Sequence, residues 1–189
     1  MYNLQYIQMK EKADLYSLLN KGIVYKLYED CFKDPPYEEV FTETDISSIF
    51  LKYLEKGVLM FCAKENKENI IGFVAAIPLK YEEEVADLAK NYGYDPSTDW
   101  YYADVGVAKE FRGNGIGRYL AKELIQLIPA GKIIMRTQEK NAASLACHKE
   151  VGFKIIDGMS QSIEKERTSG IKEKDKRIFL CYNKDIKGE

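Results

Sequence analysis

The residues best equipped for chemistry form the run Arg112-Gly113-Asn114-Gly115-Ile116-Gly117-Arg118. Alternating glycines let a backbone approach a ligand closely and take positive φ without steric cost. Before the run, Tyr101 to Val107 is aromatic, small and β-branched with no Pro, which reads as a strand. After it, Ile116, Leu120, Leu124 and Ile128 recur every fourth position, which reads as one face of a helix. The first amides of a helix have no intrahelical partner and carry a partial positive charge. A strand, a glycine turn and a helix start therefore make a cradle for an anion, phosphate above all. Two phosphate-binding patterns fail at this site. The dinucleotide fingerprint needs glycine where Arg118 stands, and the nucleotide loop needs Gly-Lys-Ser/Thr. What is left is Arg-x-x-Gly-x-Gly, Arg112 to Gly117, or an ordinary βα turn that happens to be rich in glycine.

A second cluster runs Asn141-Ala-Ala-Ser-Leu-Ala-Cys-His-Lys-Glu-Val-Gly-Phe153. The first motif resembles the acetyl-CoA pyrophosphate loop of the GNAT superfamily of acyl-CoA N-acyltransferases. In the second, Asn141, Ser144, Gly152 and Phe153 fit the helix that the family places after that loop. His148 departs from the pattern, standing where the family commonly has Tyr. The two motifs lie in the family's order and separation, and together they cover Tyr101 to Phe153.

The resemblance implies an α/β (mixed α+β) three-layer fold, a twisted mixed sheet of about six or seven strands flanked by helices. It implies acetyl-CoA as cosubstrate, with no metal. It also implies two parallel strands splaying apart beyond Val107 and near Arg136, so that main chain at Val105, Gly106 and Val107 pairs with the pantetheine arm like an added strand. Amides of Gly113, Asn114, Gly115, Ile116, Gly117 and Arg118 would hold the pyrophosphate. Arg112 either orders the turn or meets a phosphate, and Asn141 either binds pantetheine or caps its helix. Ser144 shares the cofactor-facing side of that helix with Asn141 and His148.

Chemistry at such a site is direct attack of an amine on the acyl carbon. An alkylamine of pKa about 10.4 must first lose a proton, and the departing thiolate needs a proton donor or a charge partner. His148, the single histidine, is either that general acid or a packing substitute. For the base the strand offers Asp104, which alternation places on the face of Tyr102 and Gly106; it could equally anchor a loop. Asp99 and Tyr101 are weaker candidates.

The rest of the chain must position these groups. Tyr2 to Met9 suggests a short first strand, and Ala13 to Phe32 keeps helical spacing throughout. Asp34-Pro35-Pro36 then breaks the chain, and a second helix is expected from Asp45 to Lys56, capped by Thr44 and stopped by Gly57. Aromatics crowd this region, as core or as lining of a substrate slot. Val58–Ala63 and Ile70–Leu79 read as a hairpin turned by Asn66-Lys67-Glu68-Asn69. An insert at about 81–99, opened by Glu82, Glu83 and Glu84, could overhang the site or be a solvated helix face. Lys132 to Gln138 is a buried strand reached by a right-handed crossover, and Asn141 opens a helix that Gly152 ends. Phe153–Ile163 and Arg177–Tyr182 close the sheet, with Glu164 to Lys176 expected as a mobile hairpin loop.

Length and composition set the bounds. The 189 residues, 46% hydrophobic, suit a single N-acetyltransferase domain over 1–189. With 28 basic and 30 acidic residues the net charge is -2, which gives no general pull toward nucleic acid or an anionic membrane. Cys31, Cys62, Cys147 and Cys181 have no metal-ligand spacing and read as buried thiols of a reducing compartment. No signal peptide or spanning segment is legible, so a cytoplasmic location is expected. The leading reading is an acetyl-CoA-dependent N-acetyltransferase, monomer or homodimer, acting on a small-molecule or protein amine. A non-catalytic acyl-CoA sensor and an unrelated phosphate-binding α/β domain are the rivals.

Overall fold

A computed structural model describes residues 3–184. It contains one seven-stranded mixed sheet with strands in the order β1-β2-β3-β4-β5-β7-β6. The elements in chain order are β1 (Leu4–Met9), α1 (Lys12–Asn20), α2 (Ile23–Phe32), α3 (Glu43–Lys56), β2 (Val58–Lys64) and β3 (Ile70–Pro78). They continue with α4 (Glu83–Lys90), β4 (Trp100–Val107), α5 (Ile116–Leu127), β5 (Gly131–Gln138), α6 (Ala142–Val151), β6 (Lys154–Glu166) and β7 (Lys172–Lys184). Every strand contact is antiparallel except β4 with β5, the pair joined through α5. No helix among the described residues is long and apolar enough to cross a membrane.

Helices cover both faces of the sheet, which is why β2 and β3 read as unbroken apolar runs rather than alternating ones. On one face α1, α2, α3 and α4 pack Leu15, Leu19, Tyr28, Phe50 and Val85 against Phe61, Phe73 and Phe179. On the other, α5 packs Ile116, Leu120 and Leu124 against Val74, Tyr102, Ile133 and Leu180. Cys62 is buried, while Cys31, Cys147 and Cys181 are only half-buried, and all four are free thiols.

The structure changes several boundaries for local reasons. The helix expected over Ala13–Phe32 is two, because Gly22 takes a left-handed φ of 71° and turns the chain between α1 and α2. The cap of α3 is Thr42, not Thr44: Asp45 donates its amide to Thr42 Oγ1 at 3.1 Å, and Thr42 donates its own to Asp45 Oδ2 at 2.9 Å. The link expected to be a mobile loop from Glu164 to Lys176 is largely strand. Glu164 faces Lys174, Lys165 faces Glu173 and Glu166 faces Lys172, so opposite charges meet across the ladder. The charge density that suggested a solvated loop is instead the code of a two-stranded arm.

Candidate active site

The parallel contact between β4 and β5 consists of Trp100 opposite Ile133 and Tyr101 opposite Ile134. The strands part from Tyr102 onward, well before the point beyond Val107 that the sequence suggested. Two cavities open into the wedge, one of about 540 Å³ and one of about 340 Å³.

The larger cavity runs under the glycine turn. Val105, Gly106, Val107, Arg112, Gly113, Gly115, Ile116, Gly117, Arg118, Asn141 and Ser144 all line it. Asn114 does not; its side-chain amide folds back onto the carbonyls of Phe111 and Arg112 at 3.1 and 3.2 Å. Gly113 and Gly115 have φ of 79° and 77°, so the turn itself demands glycine there. Gly117 is different, because it is helical. A Cβ on it would lie at ordinary contact distance, 3.7 Å from Val107 Cγ2 and 3.9 Å from Cys147 Sγ. Helical glycine costs about 1 kcal/mol relative to alanine. Internal packing therefore does not require this glycine, whereas a phosphate-bearing ligand lying on the α5 amides would. Gly115 caps α5 without any side-chain cap, so the leading amides stay available.

Arg112 orders the turn: Nε donates to the Val107 carbonyl at 2.9 Å and Nη2 to the Asp30 carbonyl on α2 at 3.3 Å. Arg118 pairs with Glu150 across to α6. Asn141 has both ends engaged, accepting from the Ser144 amide at 3.0 Å and donating to Tyr37 Oη at 3.0 Å. It caps its helix and ties that helix to the α2–α3 connection.

The smaller cavity belongs to Asp104. A bulge in β4 decides where this carboxylate points, since Ala76 faces Tyr102 and Ala75 faces Asp104, leaving Ala103 as an extra residue. The extra residue reverses the alternation, so the expected shared face of Asp104 and Tyr102 is wrong. Asp104 shares a face with Tyr101 and Gly106, toward α2 and α3, while Tyr102 packs on the α5 side. There Asp104 Oδ2 accepts from Tyr53 Oη at 2.5 Å and Tyr28 Oη at 3.2 Å. Burial pushes the carboxyl up to about 6, against the pull of the two phenols. Asp99 is a tie between loops, accepting from the amides of Asp95 and Lys132 at 2.9 Å each. Tyr101 lines the cavity beneath the Arg136 guanidinium, 6.0 Å from its ring centre. Of the three glutamates opening the insert, Glu82 lines this cavity and meets Lys52 at 2.9 Å. Glu83 and Glu84 are exposed in the first turn of α4.

Phe32, Tyr37, Val105, Ser144 and His148 line both cavities and mark where they meet. His148 is 1% exposed. Its Nδ1 lies 2.8 Å from the Ser144 carbonyl. A carbonyl only accepts, so Nδ1 carries the proton and Nε2 bears the lone pair. Burial lowers the imidazole's affinity for a second proton. In this tautomer His148 presents Nε2 as an acceptor. The Tyr102 ring stands edge-on to it at 5.2 Å. Burial drives the Tyr102 phenol well above its ordinary value, so it keeps its proton as a donor. Four buried side-chain atoms lack a partner among the described residues: Tyr102 Oη, Thr137 Oγ1, His148 Nε2 and Arg177 Nε. All four residues line the Asp104 cavity. Orphaned buried polar atoms are costly, and these four belong to residues around one space.

Sequence reasoning did not single out Tyr102 and Arg136 as site residues, and it offered Tyr28 and Tyr53 only among the aromatics that could line a substrate slot. Arg136 left a signal: it is a lone charge following the apolar Ile133-Ile134-Met135 of a buried strand. Tyr28 and Tyr53 were concealed among aromatics that are mostly core.

The family model for the Acetyltransferase (GNAT) family matches residues 23–153, more than half of the chain. The N-alpha-acetyltransferase RimI of Mycobacterium tuberculosis is 32% identical over 64 residues, which is 34% of this chain and 40% of that protein. Among solved structures, the ribosomal-protein-S18-alanine N-acetyltransferase of Escherichia coli superposes with a TM-score of 0.63 at 15% identity, over 100% of this chain and 97% of the other. The structure of yncA from Salmonella typhimurium with its cofactor acetyl-CoA gives 0.61 at 15% identity, over 96% and 94%. At these identities the structural likeness speaks for the fold, and the family match speaks for membership. This chain belongs to the GNAT acetyltransferase family.

Proposed function

We propose that the protein transfers the acetyl group of acetyl-CoA to a primary amine by direct attack, without an acyl-enzyme. The observation that carries this reading is the meeting of two unlike cavities at the β4–β5 split. One is roofed by glycines and helix amides, the other holds a carboxyl pushed up to about 6.

In this reading acetyl-CoA supplies the activated acyl carbon from the larger cavity, with its pyrophosphate on the α5 amides. The amine enters from the Asp104 side. Asp104 takes its proton as the N–C bond forms, since a base tuned toward neutrality is more effective than an ordinary carboxylate. Tyr28 and Tyr53 hold that carboxylate in place through Oδ2. Main-chain groups of β4 that lack β5 partners beyond Tyr101 face the wedge and stabilise the oxyanion. As the C–S bond breaks, the Tyr102 hydroxyl gives the sulfur a proton. His148 stands beside that ring, edge-on at 5.2 Å. The phenol that family helices commonly carry at the position of His148 is thus supplied beside it by the strand.

Thiol release from acetyl-CoA over a panel of small amines, amino acids and N-terminal peptides tests the proposal. Amine-dependent release, lost in Asp104→Asn, is the expected result. Tight acetyl-CoA binding with no release across the panel would favour a non-catalytic acyl-CoA sensor.

A further inference from the structure

The Asp104 cavity has opposite charges on its two walls. Asp104 on β4 and Arg136 on β5 both line it. Asp104 sits among Tyr28 and Tyr53, while Arg136 lies over Tyr101 and donates to Gln161 Oε1 at 2.8 Å. The split between the strands separates the two groups, with Asp104 on one strand and Arg136 on the other.

The positive wall is under-compensated. Glu82 is shared by two cations, Lys52 at 2.9 Å and Arg136 at 3.6 Å. The Arg136 side chain is only 19% exposed, and its approach to Glu82 exceeds hydrogen-bond reach. A guanidinium has five N–H donors, and a half-buried one with so few partners carries a desolvation cost until an anion arrives. The other cavity guanidinium shows the contrast. Arg177 meets two carboxylates through Nη2, Glu39 at 2.9 Å and Asp175 at 3.2 Å, whereas Arg136 has one carboxylate, at 3.6 Å.

The space is also bounded. Ile163, Lys165 and Arg177 of the β6–β7 arm line it. Lys165 pairs with Glu39 at 3.0 Å, and Thr168 donates its amide to the Glu38 carbonyl at 2.8 Å. These contacts fasten the arm to the α2–α3 connection beside a cavity of about 340 Å³, near the lower limit for small-molecule pockets.

We infer that the acceptor is a small amino-acid-like zwitterion, its amine presented to Asp104 and its carboxylate held by the planar fork of Arg136. This rests on the acetyl-transfer reading above and narrows its substrate. The N-terminal residue of a polypeptide brings the amine but has an amide where the carboxylate is needed.

The test compares free α- and ω-amino acids with the same compounds as carboxamides, and with short N-terminal peptides. Turnover is followed by thiol release, and binding by saturation-transfer NMR. Acetyl-CoA binding is measured by thermal shift on the same samples. The expected result is that the preferred acid exceeds its amide by about tenfold or more in kcat/KM, because a site built for a polar group rejects the analogue that lacks it. Arg136→Gln should bring the pair close to parity while leaving the acetyl-CoA thermal shift unchanged. Amides or peptides that match the acids, or a preference that survives Arg136→Gln, would overturn the inference and leave acetyl transfer standing. If nothing is acetylated although acetyl-CoA binds, NMR still decides. Acid-over-amide binding that is lost in Arg136→Gln would uphold the zwitterion site and sink the transfer reading, whereas no such binding would sink the inference.

Discussion

Asp104 is costly to keep where it is, and that cost has a measurable sign. Its folded carboxyl holds a proton up to about pH 6, above the value near 3.9 of an unfolded chain. Well below pH 3.9 both states are protonated and the burial costs nothing on this account. As pH rises from 4 through 6 the unfolded carboxyl ionises more readily, and stability falls. Asp104→Asn, which keeps the shape without the charge, should raise stability at pH 7.5 by about 1–3 kcal/mol while removing amine-dependent turnover. Urea unfolding at pH 4 and pH 7.5 checks the sign: the gain should be confined to the higher pH. Tyr102→Phe follows the same logic with a neutral group. The hydroxyl is buried and unpartnered, so its loss should leave stability unchanged or raise it by up to about 1 kcal/mol. If the hydroxyl donates to the departing sulfur, kcat should fall about 100-fold, the scale of general acid catalysis. Unchanged kcat would return the search for the donor to His148 or to solvent.

Single residues decide the elements around the site. The glycine turn and α6 were legible because their signals are local: positive φ at Gly113 and Gly115, an Asn141 cap, and a Gly152 terminus at φ 112°. What was not legible depends on partners distant in sequence. The Ala103 bulge exists only in register with β3, so no alternation read along β4 alone could place Asp104 with Tyr101. The arm likewise needed the pairing of Glu164, Lys165 and Glu166 with Lys174, Glu173 and Lys172 before its charges made sense. Gly117 yields the sharpest test at this scale. Gly117→Ala removes a helical glycine where a Cβ meets only ordinary contacts, so the helix should gain about 0.5–1 kcal/mol. If the phosphate cradle needs that space, acetyl-CoA affinity should fall about tenfold or more, a loss of at least 1.4 kcal/mol. Calorimetric titration and thermal unfolding of the same variant read both. Gly115→Val should fail on both counts, since its φ of 77° admits no branched side chain without strain.

At the scale of the molecule, the sheet separates two jobs. In the proposed reaction the α5–α6 side and the edge of the wedge would present the acyl donor, and the α2–α3 side with the β6–β7 arm would receive the acceptor. The sequence motifs covered the first of these almost completely, because the family resemblance lies in Tyr101–Phe153. The second is assembled from Tyr28, Tyr53, Glu82, Arg136 and Arg177, five residues that come from five separate elements or connections and share no motif. Acetyl-CoA should stabilise the whole chain by mass action, by about 2.7 kcal/mol at a ligand concentration 100-fold above Kd. ATP and NAD should not, since the turn lacks both of their patterns. The central claim, that Asp104 is the base in an acetyl transfer, is tested most directly by the pH dependence of amine-dependent thiol release under saturating acetyl-CoA. The wild-type rate should rise through an apparent pKa near 6, and Asp104→Asn should lose at least about 100-fold with that inflection gone. An Asp104→Asn profile with the same inflection and a rate within a few-fold of wild type would contradict it.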